Sequence, residues 1–328
     1  MHYGTVTNCI ITRNSSFVGY VGSDFYRAGG GGIFMGLNTA NSGGVWNCTI
    51  SGNNVNSAAG IGGGIEIYRG GPWRIANCTI SGNSGGIESG GIGAYATTIP
   101  TIISNCWAVS NYVVAGCAGG IYMASGVECY NSFIIGNTCD LANWSEGGGV
   151  RLQGGGLIRN CLIANNIVKN GGGGVATYNI ASIQNCTIVS NYSVTSAGGL
   201  YVARTNVAAK VENTIIWGNS AGGTSSNWFI DVNVGAVSTF TNCCTSPNIF
   251  NAYGNASDVN TITNDPRLIS TTDFRLQSGS SCINAGVNRN WMEGGWDVYG
   301  NRRIDNFRKT VDIGAYEYLS PGTVFGFQ

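Results

Sequence analysis

Charge is scarce in this chain: of 328 residues only 10% are Asp, Glu, Lys or Arg, against roughly 25% in an ordinary soluble domain. The 16 basic and 16 acidic side chains cancel. No basic surface is on offer to a phosphate backbone, which excludes nucleic acid as a partner. The single histidine, His2, lies at the N-terminus, so His-based triads and His-ligated zinc are excluded too. There are only five prolines and the glycines follow no G-X-Y period, which rules out a collagen triple helix. No apolar run reaches the ~18 residues of a membrane helix. The opening Met1-His2-Tyr3-Gly4-Thr5-Val6 has neither the basic nor the apolar region of a signal peptide. What the chain does have is 53 Gly, 43% hydrophobic residues, 8 Trp, 15 Tyr and 11 Phe. That apolar content is incompatible with disorder.

An internal repeat dominates. The pattern apolar-x-Asn-Cys-x-apolar-x-x-Asn places its first Asn at Asn8, Asn47, Asn77, Asn105, Asn131, Asn160, Asn185, Asn213 and Asn242. The second Asn falls at Asn14, Asn53, Asn83, Asn111, Asn137, Asn166, Asn191, Asn219 and Asn248. Between repeats a Gly-Gly-aliphatic element recurs, with Ile33, Ile65, Ile92, Ile121, Val150, Val175 and Leu200 as the aliphatic residue. Leucine-rich and helical repeats would carry a Leu framework or a 3.6-residue period, and neither is present. The short β-rich segments bounded by Gly, Ser and Asn read as strands.

Apolar side chains change parity across the first Asn, from Val45 before Asn47 to Cys48 and Ile50 after it. A strand must bend there, and Asn tolerates the left-handed conformation a bend needs. The expectation is an all-β, right-handed parallel β-helix of about nine three-strand coils stacked at about 4.8 Å. It spans residues 1–257, with Asn ladders whose amides hydrogen-bond from coil to coil. The ladder residues are Asn47, Asn77, Asn105, Asn160 and Asn185 at the first position and Asn53, Asn83, Asn111, Asn166 and Asn191 at the second.

Most of the 12 cysteines sit in one slot. Cys9, Cys48, Cys78, Cys106, Cys161, Cys186 and Cys243 follow the first Asn, and Ser132 and Thr214 replace them in two coils. The slot therefore wants a small side chain, and stacked parallel Cβ vectors suit a disulfide torsion badly. These residues read as buried free thiols. Cys117 and Cys139 fall in turns of adjacent coils and form the candidate disulfide. No CxxC pair exists, so no metal site is expected.

The Asn-Cys-Thr-Ile-Ser-Gly-Asn and Gly-Gly-Gly-Ile elements resemble the parallel β-helix repeats of secreted bacterial proteins, namely pectate-lyase-like enzymes and polymorphic outer-membrane protein passengers. Over 258–318, Asp273-Phe274-Arg275-Leu276, Ser280-Ser281-Cys282-Ile283-Asn284-Ala285-Gly286, Asp297-Val298-Tyr299-Gly300-Asn301-Arg302 and Val311-Asp312-Ile313-Gly314-Ala315-Tyr316-Glu317 resemble the choice-of-anchor Q domain. That resemblance implies a C-terminal capping module and an extracellular or cell-surface location. An apolar tail, 319–328, follows without a sorting signal.

Chemistry must use side chains pointing out of the strand after Gly-Gly. Those positions and their flanking turns carry Glu66, Tyr68, Tyr95, Tyr122, Trp144, Arg151, Tyr178 and Tyr201. Aromatic rings interleaved with Arg and Glu suit stacking on sugars, although Tyr is also a common solvent-facing strand residue. Pectate-lyase resemblance implies an Arg base and carboxylate-held calcium. Arg151, Tyr122 and Glu146 are the constellation that approaches this, and calcium is a cofactor only in that case. Hydrolysis by clustered Asp is excluded, because the face lacks such a cluster. Two functions stand: a structural, adhesive or glycan-contacting module for extracellular polysaccharide, and a polysaccharide lyase. The first coil starts at Val6 with no Gly-Gly strand before it. The chain is therefore expected to be a fragment of a longer precursor, or to have that end covered by another molecule. The tail Gly322-Thr323-Val324-Phe325-Gly326-Phe327 echoes Gly4-Thr5-Val6, so head-to-tail pairing with a second copy is a further expectation.

Overall fold

A computed structural model describes residues 3–16, 30–36, 42–55, 62–68, 71–95, 100–139, 145–203, 208–230, 237–246, 256–304 and 309–319. Within these the chain is a parallel β-solenoid. Each coil contributes to four sheets rather than the three expected. Sheet D takes the strand after Gly-Gly, such as Ile121–Met123, and sheet A the strand ending before the first Asn, such as Thr101–Ser104. Sheet B lies between the two Asn positions, as at Trp107–Val109. Sheet C is a two-residue strand after the second Asn, as at Tyr112–Val113. The described sheets A, B, C and D hold ten, nine, nine and eight strands. Sheet C escaped the sequence reading because two residues carry no periodic signal.

Pairing is in register and parallel from coil to coil, as in Ile92↔Ile121↔Val150 on sheet D and Ile80↔Ala108↔Ile134 on sheet B. Equivalent side chains stack, and their aliphatic members fill one continuous core from Ile33 to Phe240.

The two Asn series do different work. All nine first-position Asn hold positive φ, from 47° at Asn213 to 57° at Asn160, and so make the bend between sheets A and B. Asn47, Asn77 and Asn105 are exposed there and link by side chain at 3.2 Å. The second series is the buried ladder. Asn137 shows its logic. Its Oδ1 accepts from the backbone N–H and the Nδ2 of Asn111, both at 3.0 Å. Its Nδ2 donates to Asn166 Oδ1 at 3.0 Å and to the Ala108 carbonyl at 2.9 Å. The pattern repeats from Asn14 to Asn219. It ends on Asn227, whose Oδ1 accepts from Asn219. Asn248 lies outside the described residues.

The cysteine slot is more specific than small size. The Cys78 thiol donates to the Ala76 carbonyl at 3.2 Å and the Cys106 thiol to Ser104 at 3.2 Å. In the same slot the Ser132 hydroxyl donates to Tyr130 and the Thr214 hydroxyl to Glu212. The slot selects a compact donor that satisfies the carbonyl two residues back, at the bend. Cys78→Ser should therefore be nearly neutral in urea unfolding. Cys78→Val, with no donor and more bulk, should cost about 1–3 kcal/mol. Equal midpoints for the two variants would show that the thiol is merely filler. Cys117 and Cys139 are both buried. They lie in one buried cluster with Val113 and Ala118. The Cys139 thiol donates to the Gly116 carbonyl, while Cys117 lies toward Arg151, and burial pushes its thiol up to about 11.

The C-terminal segment does more than stack on the end. Ala256–Val259 is the last strand of sheet A, paired with Ser238–Thr241, so the boundary expected at 257 falls inside a rung. Beyond Ile262 the chain returns along the outer face of sheet B. There Phe274, Leu276, Cys282, Ile313 and Ala315 pack on Phe133, Leu162, Ala164, Ile215 and Cys244. The first-position Asn residues become the docking line. Asn213 exchanges two 2.8 Å bonds with Val287, Asn242 donates to Ala285, and Asn160 donates to Trp296. Arg303, wholly buried, reaches Asn160 and pairs with Glu317 at 2.7 Å. Burial pushes the Glu317 carboxyl up to about 8 against the pull of Arg303. Asp297 and Asp312 accept backbone N–H groups from Tyr299, Asn301, Asn284 and Tyr318. The acidic motif residues of this segment are thus its internal hydrogen-bond frame. Residues 320–328 lie outside the described structure.

Candidate functional site

Register assembles one outward column on sheet D: Phe34, Glu66, Gly93, Tyr122, Arg151, Ala176, Tyr201 and Phe229. A second column, two residues further along each coil, carries Tyr68, Tyr95, Ala124, Gln153 and Tyr178, each held by its backbone N–H on the coil before. The side chains singled out in the sequence belong to these two columns or their flanking turns, and the face they form is divided.

Its middle is covered. Tyr95 and Tyr122 stack with centroids 4.8 Å apart, yet each is only 7% exposed. They share a cluster with Val113, Cys117, Ala118 and Cys139, because the turn between sheets C and D folds back over them. Burial, followed by the negative charge of Glu88, holds the Tyr95 hydroxyl well above its usual range. Glu66 is fully buried, its carboxylate accepting from the Gly62 N–H. These three residues support the face from beneath and cannot meet a polymer in solution. Trp144 lies outside the described residues.

The open part lies next to them. Arg151 sits with its guanidinium 4.1 Å over the Tyr178 ring and its Nε donating to Gln153 Oε1 at 2.9 Å. Glu146 Oε2 is 4.0 Å from Arg151 Nη1. Two coils along the same column as Arg151, Tyr201 stacks on Phe229 with centroids 5.8 Å apart and planes 19° off parallel. Phe229 is 36% exposed, and Arg151, Tyr178 and Tyr201 are half-buried. Cation–π stacking and the Gln153 bond fix the guanidinium in place.

No protein-family model matches the chain, and no curated protein matches it in sequence. Among solved structures it is similar to the crystal structure of pectate lyase Pel9A, at 13% identity and a TM-score of 0.42, over 94% of this chain and 87% of that one.

Arg151 and Glu146 are thus brought together as the sequence suggested. Tyr122 is Arg151's register neighbour but is buried. Among the described residues no group of three or more His, Cys, Asp or Glu side chains is placed to hold a metal. Phe229 was missed. Its strand, Trp228–Ile230, follows Asn227 rather than Gly-Gly, so the marker used to find sheet D was absent. The alternation Trp228-Phe229-Ile230 was the available signal.

Proposed function

We propose that this chain is an extracellular β-helix module that holds polysaccharide on the open end of sheet D without cleaving it. The observation that carries this reading is the pair of partly exposed clusters, Arg151–Gln153–Tyr178 and Tyr201–Phe229, on sheet D. Ring faces stack on the apolar faces of sugars, while the fixed guanidinium and amide offer donors to hydroxyl or carboxylate groups. Successive coils repeat at about 4.8 Å, close to the rise of an extended sugar chain per residue, so one polymer can meet several coils. Arg151 is engaged on the Tyr178 ring, by Gln153 and beside Glu146, which suits a binding anchor better than a proton acceptor.

Calorimetric titration with neutral and acidic polysaccharides tests the reading. A Tyr201→Ala/Phe229→Ala double variant should bind at least about tenfold more weakly than the parent, as expected for two lost stacking contacts. Its thermal midpoint should stay nearly unchanged, because the two rings are partly solvent-facing. Unaltered affinity in the double variant would remove this face from consideration. Release of unsaturated product from a polyuronate, lost on Arg151→Gln, would overturn the non-catalytic reading in favour of a lyase.

A further inference from the structure

Two cysteines outside the repeat slot face each other across the seam between solenoid and C-terminal segment. Cys243 occupies the inward slot of its coil and belongs to the central core. Its neighbour Cys244 therefore points outward, and it belongs to the cluster shared with the C-terminal segment. Cys282 enters that cluster from the other side, and both residues are 0% exposed. The Cys244 thiol donates to the Asn264 carbonyl at 3.4 Å, and the Cys282 thiol is the neighbour that perturbs it most.

The backbones on either side are tied together. Cys244 N–H donates to the Thr214 carbonyl and Gly314 N–H to the adjacent Asn213 carbonyl, while Ile313 N–H donates to the Cys282 carbonyl at 2.9 Å. The ladder thiols differ: they stack in one direction along the coil and each donates to a carbonyl of its own bend. Cys244 and Cys282 enter their shared cluster from opposing layers, not as stacked neighbours of one column.

We propose that Cys244 and Cys282 form a disulfide that staples the C-terminal segment to the flank of the solenoid when the protein matures in an oxidising compartment. The oxidant is a small-molecule disulfide such as oxidised glutathione. The thiolate of one cysteine attacks it, forming a mixed disulfide and releasing one glutathione. The second cysteine then attacks the protein sulfur of that mixed disulfide, closing the Cys244–Cys282 bond and releasing the second glutathione. Two protein S–H groups are oxidised, one glutathione disulfide is reduced, and the two protons leave with the glutathione thiols. Contact with the Cys282 thiol, and then burial, raise the Cys244 thiol well above its usual range. Exchange therefore proceeds while the segment is open, during folding or transient lifting, and the closed seam then shields the bond from reductant. The staple would keep Phe133, Leu162 and Ile215 covered, which an unanchored segment would expose on lifting.

The full chain, unfolded and refolded in a glutathione redox buffer, would be alkylated under denaturing, non-reducing conditions and mapped by mass spectrometry after digestion. The expected product is a cross-linked peptide pair joining Cys244 to Cys282, lighter by two hydrogens than the sum of the two peptides. Cys243→Ser should retain it and Cys282→Ser should lose it. Limited proteolysis within 256–318 should slow severalfold on oxidation of the parent and be unchanged by the same treatment of Cys282→Ser. Full alkylation of Cys244 and Cys282 after oxidative refolding, or a cross-link of Cys244 to a different cysteine in the parent, would overturn the proposal.

Discussion

Asn137→Ala is expected to lower the stability of the solenoid by roughly 3–5 kcal/mol, because it strands several buried groups at once. The Asn111 backbone N–H and Nδ2 both lose their acceptor, and the Ala108 carbonyl loses its donor. All of them lie where water cannot substitute. Asn77→Gly, at the exposed bend with φ of 54°, should stay within about 0.5 kcal/mol of the parent, since glycine adopts that conformation without strain. Asn77→Ala should cost about 1–2 kcal/mol for backbone reasons alone. Urea unfolding followed by circular dichroism on the three variants would check the ranking. Similar losses for Asn137→Ala and Asn77→Ala would show that the inner ladder is not the distinctive polar element described above. Solenoids transmit local loss along neighbouring repeats, so midpoints are the safer comparison.

Gly120→Ala should be at least as damaging, at about 3 kcal/mol or more and with much of the product insoluble, the upper end of overpacking penalties. Its φ is not the cause. A Cβ there would stand 2.5 Å from the Gly149 carbonyl oxygen, 2.9 Å from Ile134 Cγ2 and 3.0 Å from Asn137 Nδ2. Backbone of the next coil cannot yield as a flexible side chain can. The same relation recurs at Gly64 over Asn83 and Gly174 over Asn191. The Gly-Gly element and the inner Asn ladder are therefore one device, in which glycine lets the chain pass against the amide column. Gly82→Ala is the control. Its φ is +60° but nothing lies within 4 Å of the added carbon, so it should cost only about 1–2 kcal/mol. Thermal melts in which Gly120→Ala and Gly82→Ala coincide would refute close approach as the reason for the conserved spacing within this chain.

The legibility of the site in the sequence was uneven. Alternation along each strand put Arg151, Tyr178 and Tyr201 on one face, and alternation is a local property of strand geometry. Tyr95 and Tyr122 have the same pattern and the opposite fate. A turn carrying Cys117 and Ala118 covers them, and nothing within their own strands encodes that. The landing of the C-terminal segment did leave a trace. The residue after the cysteine slot changes from Thr49 and Thr79 to Trp107, Phe133 and Leu162, and the last two lie under the segment. An exposed strand position that turns apolar over consecutive repeats signals a partner layer.

The repeat alone determined the parallel stacking, the left-handed Asn bends and the inward aliphatic core. Each depends on side chains a few residues apart, and identical coils must meet in identical register. Which Asn series is buried, which cysteines face one another and which tyrosines remain open depended on contacts between residues tens to more than a hundred positions apart, such as Arg303 with Asn160 and Cys244 with Cys282. Local periodicity says which way a side chain points. Only the packing of other segments against that face says whether it meets water, protein or ligand.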